Sequence, residues 1–153
     1  MEMPRYLGVT GTSEPITDAQ RRQLFPVLRS FRDQGFDWMR NGDCINADHE
    51  LARVWRQMGG KVFGHPPLSP VKRAFFNFDE WSIERGYLDR NRDIVYGSEE
   101  LLGVPSGPEK VRSGTWSTIR LARSLGRKIT LIWPTGRVTI EHLATGSNPN
   151  GEV

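Results

Sequence analysis

Cys44 is the single cysteine of the 153-residue chain, so no disulfide can form within it, a usage that fits a reducing compartment. Long apolar runs are missing as well. The longest, such as Ile129 to Trp133, cover a few residues and are broken by Thr130, which excludes a membrane-spanning helix. The opening stretch, MEMPRYLGVTG, has no basic region followed by an apolar segment of export-signal length. Basic runs are also absent. The net charge is only +3, and positive and negative residues are interleaved, so nothing resembles the stripe of a duplex-binding protein. No G-x-G-x-x-G follows the first apolar run and no G-x-x-x-x-G-K-[ST] occurs anywhere, which argues against ordinary dinucleotide dehydrogenases and P-loop proteins. Cys44, His49 and His65 lack C-x-x-C or H-x-x-x-H spacing, so no metal site is expected. These absences point to a cytoplasmic domain with no resident cofactor.

What remains is an ordinary globular composition, 37% hydrophobic and 25% charged, arranged as alternating strands and helices. Tyr6 to Thr10 reads as a strand. Thr17 to Gln20 has the form of a capping box, with Leu24, Val27, Leu28 and Phe31 behind it at helical spacing. Pro26 inside that pattern predicts a kink, at about 3 kcal/mol if unrelieved. Phe36 to Met39 reads as a second strand. Asp48 is the expected cap of the next helix, whose apolar face is Leu51, Val54, Trp55 and Met58, ended by Gly59-Gly60. Lys61 to Gly64 is a third strand, and residues 66–86, with three prolines and no clear period, form an ordered excursion. Tyr87 to Val95 suits a helix and Leu101 to Pro105 a strand. Ser113-Gly114-Thr115 opens a helix carrying Trp116, Ile119, Ala122 and Leu125; Ile129 to Trp133 and Val138 to Ile140 close the series. Strands separated by helices imply an α/β fold, an open and mainly parallel sheet of five to seven strands with helices on both faces. Residues 1–144 form one domain in this reading, and 145–153 a polar tail.

In such sheets ligands bind beyond the carboxyl ends of the strands, where strand order reverses. Three of the strand-to-helix loops pair glycine with hydroxyl or amide residues: Thr10-Gly11-Thr12-Ser13, Asn41-Gly42-Asp43 through Asp48, and Arg112-Ser113-Gly114-Thr115. Glycine admits a ligand close to the main chain, and the free N–H groups of the following helix favour an anion. A phosphate cradled by Ser113, Gly114 and Thr115 is the sharpest expectation; the competing account is that Ser113 merely caps its helix.

Five segments, Thr10-Gly11, Asn41 to Asp48, His65-Pro66-Pro67, Arg90 to Val95 and Arg112 to Trp116, recur in the order found in the SLOG superfamily. The chain resembles that Rossmann-like group, which holds the lonely-guy phosphoribohydrolases and the DNA-processing protein A core, and is most similar to its small stand-alone bacterial or phage members. The resemblance spans residues 6 to about 134 and implies a nucleotide or nucleotide-derived ligand lying across the first, second and fourth loops. It also implies pairing of two copies through helices flanking the sheet. Two departures stand out. The lonely-guy motif P-G-G-x-G-T-x-x-E is matched at Gly114-Thr115, but Thr118 stands where the catalytic glutamate belongs and the preceding glycine pair is missing. A hydroxyl supplies neither the base nor the charge stabilisation of a carboxylate. Asn41 replaces an expected histidine.

The ligand-facing set expected from the sequence is therefore Thr10, Gly11, Thr12, Ser13, Asn41, Gly42, Asp43, Asp48, Arg90, Asn91, Ser113, Gly114, Thr115 and Trp116. Arg92 is expected in a structural ion pair and Arg73 in the excursion, either closing over phosphate or solvated. Trp116 could stack on a base or lie in the core. Cys44 and His65, each following a strand, could meet as a nucleophile pair, although a small buried cysteine is the commoner state. The leading function is recognition of a phosphorylated nucleoside or an ADP-ribose-type molecule. A nucleotide N-glycosidase using Asp48 or Asp43 in place of the missing glutamate is the alternative, and a DNA-binding module the third, although no aromatic-and-basic tract supports nucleic acid as partner.

Overall fold

Unbroken burial along the central strands, with consecutive residues such as Leu101 and Leu102 or Leu131 and Ile132 all hidden, identifies strands covered on both sides, the mark of a parallel sheet. In the computed structural model, which describes residues 3–142, the order is β1 (Tyr6–Gly11), α1 (Asp18–Asp33), β2 (Trp38–Asn41), α2 (Ala47–Gln57), β3 (Lys61–Gly64), β4 (Glu80–Trp81), α3 (Tyr87–Tyr96), β5 (Glu100–Val104), α4 (Gly114–Ser124), β6 (Lys128–Ile132) and β7 (Val138–Glu141). These strands form one seven-stranded sheet in the order β4-β3-β2-β1-β5-β6-β7. Every pairing is parallel except β6 with β7, which is antiparallel. The expected open α/β architecture is the one found. The proposed 145–153 tail lies outside the described residues.

Two apolar clusters flank the sheet. One gathers Leu24, Leu28 and Phe31 of α1 with Leu51 and Trp55 of α2 against Leu7, Val9, Leu102 and Ile132. The other joins Trp116, Ile119 and Ala122 of α4 to Val95, Leu101, Ile129 and Leu131. Successive residues of one strand thus serve opposite faces, as the period of two requires.

The capping box at Thr17 is present: the Gln20 N–H donates to Thr17 Oγ1 at 3.0 Å, and the Thr17 N–H to Gln20 Oε1 at 3.0 Å. Gln20 is itself buried and donates to the carbonyls of Pro105 and Ile132, tying α1 to the carboxyl ends of β5 and β6. α1 runs through Pro26 without interruption. Pro26 lies on its exposed face with Arg22 one turn earlier, where a carbonyl deprived of its helical donor can bond to water.

Three local expectations are corrected. The second strand lies two residues later than expected, and Phe36 precedes it, its ring edge-on to Phe31 at 5.5 Å. Asp48 is not the cap of α2. That position falls to Asn46, at φ 70°, with no side-chain cap; Asp48 is in the first turn and turned inward. The excursion is not wholly irregular, because Glu80–Trp81 pairs with β3 as a two-residue edge strand.

Candidate functional site

β1 lies between β2 and β5, and the chains leaving β1 and β5 cross to opposite faces of the sheet, the arrangement that opens a crevice at the strands' carboxyl ends. A cavity of about 570 Å³ occupies this place. Thr10, Gly11, Thr12 and Ser13 after β1, Gly42, Cys44 and Asp48 after β2, Tyr87, Arg90 and Asn91 from α3, and Arg112, Ser113, Gly114 and Thr115 at the start of α4 all line it. Eleven of the ligand-facing residues expected from the sequence therefore share one space.

The three loop glycines play different parts. A Cβ on Gly11 would stand 2.5 Å from that of Ala47, and one on Gly42 would stand 2.5 Å from Arg90 Nη1. Both are close approaches of protein to protein, not room for a guest. Gly114 has nothing within 4 Å of its Cβ position. At that helix start Ser113 Oγ accepts from the Trp116 N–H at 3.2 Å and the Ser113 carbonyl from the Ser117 N–H at 2.8 Å. The N–H groups of Gly114 and Thr115, first in the helix, have no carbonyl one turn back to meet. α4 has no acidic residue in its first turn, whereas α1, α2 and α3 each have at least one. Ser113 thus caps its helix and still leaves two N–H groups at the cavity, so the two accounts of the tripeptide hold together.

Arg90 is buried, with Nε and Nη1 bonded to oxygens and Nη2 reaching only Cys44 Sγ, at 3.9 Å. It donates from Nη1 to the carbonyls of Gly42 and His65, and from Nε to Asn91 Oδ1 at 2.7 Å. Its guanidinium stands over the Tyr87 ring, and among the described residues it has no carboxylate partner within 4.0 Å. It therefore brings positive charge to the cavity floor without an ion pair to cancel it. Lys72, Lys110 and Arg112 extend that sign along the rim.

Asp48 is 5% exposed. Its Oδ2 accepts from the Cys44 N–H at 3.2 Å, while Oδ1 is buried with no partner. Burial, opposed by Arg90 and the Cys44 N–H, pushes its carboxyl up to about 6. Burial likewise pushes the Cys44 thiol up to about 11, so it stays protonated near neutrality.

Three expected ligand contacts are corrected. Asn41 is buried beside the cavity, its Nδ2 donating to the Asp48 carbonyl at 2.8 Å and its Oδ1 accepting from the Asp43 N–H at 2.9 Å. Asp43, at φ 59°, faces the excursion: its Oδ2 accepts from Arg73 Nε at 2.6 Å and its Oδ1 from the Phe76 N–H at 2.9 Å. Both oxygens are occupied, so Asp43 is a fastener and not a free base. Trp116 is 2% exposed and packs on Trp133 in the core. Of the remaining expectations, Arg73 neither roams nor is solvated, being held by Asp43 and Glu84. Arg92 is exposed and makes no ion pair among the described residues; Arg85 pairs with Asp93 instead. His65 bonds Arg40 Nη1 through Nε2 at 3.1 Å, and burial with the nearby arginines lowers its pKa to about 3, so it stays neutral. No group of three His, Cys, Asp or Glu among the described residues is placed to hold a metal, and no described helix is long and apolar enough to cross a membrane.

Sequence reasoning missed Lys72, Val71 and Lys110. The first two reach the cavity because the excursion doubles back: the Ile45 N–H donates to the Lys72 carbonyl and the Ala74 N–H to that of Asp43. Nothing in their local sequence signals this. Thr118, buried, donates its hydroxyl to the Gly114 carbonyl at 2.8 Å, so it serves its own helix.

No family model and no curated protein matches the sequence. Solved structures do. The molybdenum cofactor binding protein of Rippkaea orientalis superposes with a TM-score of 0.68 at 16% identity, over 87% of this chain and 78% of that one. The Moco carrier protein of Chlamydomonas reinhardtii gives 0.65 at 19%, over 84% and 76%. DNA processing protein A of Helicobacter pylori, described with a single-stranded DNA binding mode, gives 0.58 at 16%, over 84% and 65%. At these identities the shared property is the path of the chain, an open, mainly parallel Rossmann-like α/β fold.

Proposed function

We propose that the protein binds a nucleotide or nucleotide-derived organic phosphate in the cavity beyond β1 and β5, with a phosphate on the N-terminus of α4. The observation that carries this reading is the state of that terminus. Two N–H groups open onto a 570 Å³ cavity, the first turn lacks any carboxylate, and Lys110 and Arg112 stand beside it. A helix start of this kind attracts an anion through its free donors and its dipole. Fold neighbours described as molybdenum-cofactor binding and carrier proteins support a small organic guest, so that cofactor belongs beside nucleotides in the binding panel.

Gly114→Asp tests the reading. The new side chain enters open space, and a carboxylate in the first helical turn favours the helix by about 0.3–1 kcal/mol. The variant should therefore fold at least as well as the native chain. Its charge would occupy the phosphate position, so affinity for nucleoside monophosphates should fall by at least about tenfold in calorimetric titration. Unchanged affinity would show that the phosphate lies elsewhere.

The N-glycosidase alternative keeps one supporting observation, the buried Asp48 carboxyl at the cavity with its pKa near neutrality. Free base released from the same nucleotide panel, and lost in Asp48→Asn, would establish turnover.

A further inference from the structure

The cavity has a cationic rim at Lys72, Lys110 and Arg112 and, on the β2 side, a buried carboxylate. Buried polar atoms of native proteins nearly always have partners. Asp48 Oδ1 has none, although Arg90 is close enough to influence it. Arg90 directs Nε to Asn91, Nη1 to the carbonyls of Gly42 and His65, and Nη2 to Cys44 Sγ at 3.9 Å, none of them to Oδ1, and the Cys44 N–H is already given to Oδ2. A buried, unpartnered carboxylate oxygen on a residue that lines a ligand-sized cavity is an acceptor that a donor from outside the chain can satisfy.

We propose that Asp48 is the specificity-determining residue of this cavity, accepting a hydrogen bond from a neutral donor on the ligand, a sugar hydroxyl or a heterocyclic N–H. The proposal rests on the phosphate reading above, and it narrows the guest to phosphate esters that carry such a donor. The charges around Asp48 exclude the alternatives. A second phosphate would meet the carboxylate, with Asp43 adding to the repulsion. A cationic group would meet Arg90. A neutral donor satisfies Oδ1 and offends neither.

The groups facing Asp48 are Arg90 from α3 and Asp43 and Cys44 from the loop before α2, and the Cys44 thiol is neutral through the accessible range. Asp48 is thus the group whose ionisation changes near neutrality, its pKa standing at about 6. Recognition by the ionised form strengthens as pH rises from about 5 to 8 and then levels. A phosphate monoester also loses a proton near pH 6, so the contribution of Asp48 is the part of the pH profile that Asp48→Asn removes.

The test is calorimetric or NMR titration of the full chain with methyl phosphate, the four ribonucleoside monophosphates and their 2′,3′-dideoxy counterparts. In Asp48→Asn the amide oxygen can keep the Cys44 bond, which turns the NH2 toward the ligand's donor. The nucleotide favoured by the native protein should then lose about tenfold or more in affinity, as expected for a hydrogen bond to a charged group, while methyl phosphate changes less than about twofold. A dideoxy nucleotide that binds the native protein as weakly as Asp48→Asn binds the parent assigns the donor to the sugar; one that keeps its affinity assigns it to the base. An unchanged ratio of nucleotide to methyl phosphate in Asp48→Asn would overturn the proposal, and Gly114→Asp abolishing both would still leave the phosphate position intact. Methyl phosphate binding that survives Gly114→Asp would instead fault the phosphate position itself.

Discussion

Asp48 burdens the fold that holds it. Its carboxyl titrates at about 6 against 3.8 in an unperturbed chain, so the unfolded state gives up this proton first as pH rises. The contribution of Asp48 to stability is therefore most favourable below about pH 4, declines through the interval up to about 6, and stays reduced above it. The difference of about two pKa steps corresponds to roughly 3 kcal/mol. Asp48→Asn, which has no charge to bury, should be more stable than the native chain at pH 7.5 by about 1–3 kcal/mol in urea denaturation. The gap should vanish near pH 4. A variant equal to or weaker than the native protein at pH 7.5 would mean that the carboxylate is satisfied after all. Placing Asp48 at the cavity was within reach of the sequence, since it follows the second strand; its orphaned oxygen was not. That depends on Arg90 turning Nη1 to carbonyls far from it in sequence, at Gly42 and His65, and Nη2 to Cys44 Sγ.

Among the elements, α4 was the most legible and the most instructive. Trp116, Ile119 and Ala122 lie on its buried stripe as their spacing predicts, and that same stripe claims Trp116 for the core in place of the ligand. Thr118 is 1% exposed and bonded to the carbonyl of Gly114. Restoring a glutamate there would set a longer, charged side chain into packed surroundings. Thr118→Glu should cost about 3 kcal/mol or more in denaturation midpoint measurements and yield no release of free base from nucleotides. A stable and hydrolytically active Thr118→Glu would restore the lonely-guy mechanism to consideration. Short or long-range features escaped the sequence for a common reason. β4 has two residues, too few for any period, and Asp43 finds its partners Arg73 and Phe76 about 30 positions away. Local pattern registers turns and faces; it does not register which distant loop folds back onto a carboxylate.

For the molecule as a whole, the alternating order of strands and helices was enough to predict the parallel sheet, because each parallel pairing needs a crossover. The ranking of stability within the sheet follows from its topology. Leu7, Val9 and Leu102 are fully buried at its centre, whereas both residues of β4 are exposed at one edge. Hydrogen exchange should be slowest in β1 and β5 and fastest among the strands in β4 and β7. Faster exchange at the centre than at the edges would contradict the placement of the two apolar clusters.

The fastening of the excursion by Asp43 has a bearing on rates. Main-chain and side-chain atoms of this one residue grip Asn41, Arg73, Ala74 and Phe76, so the wall that carries Val71 and Lys72 is set in place before any guest arrives. A receptor formed in advance has no slow rearrangement to complete after encounter. Arrival would then be governed by diffusion and by the attraction of the basic rim, and differences in affinity among guests would show as differences in how long each one stays.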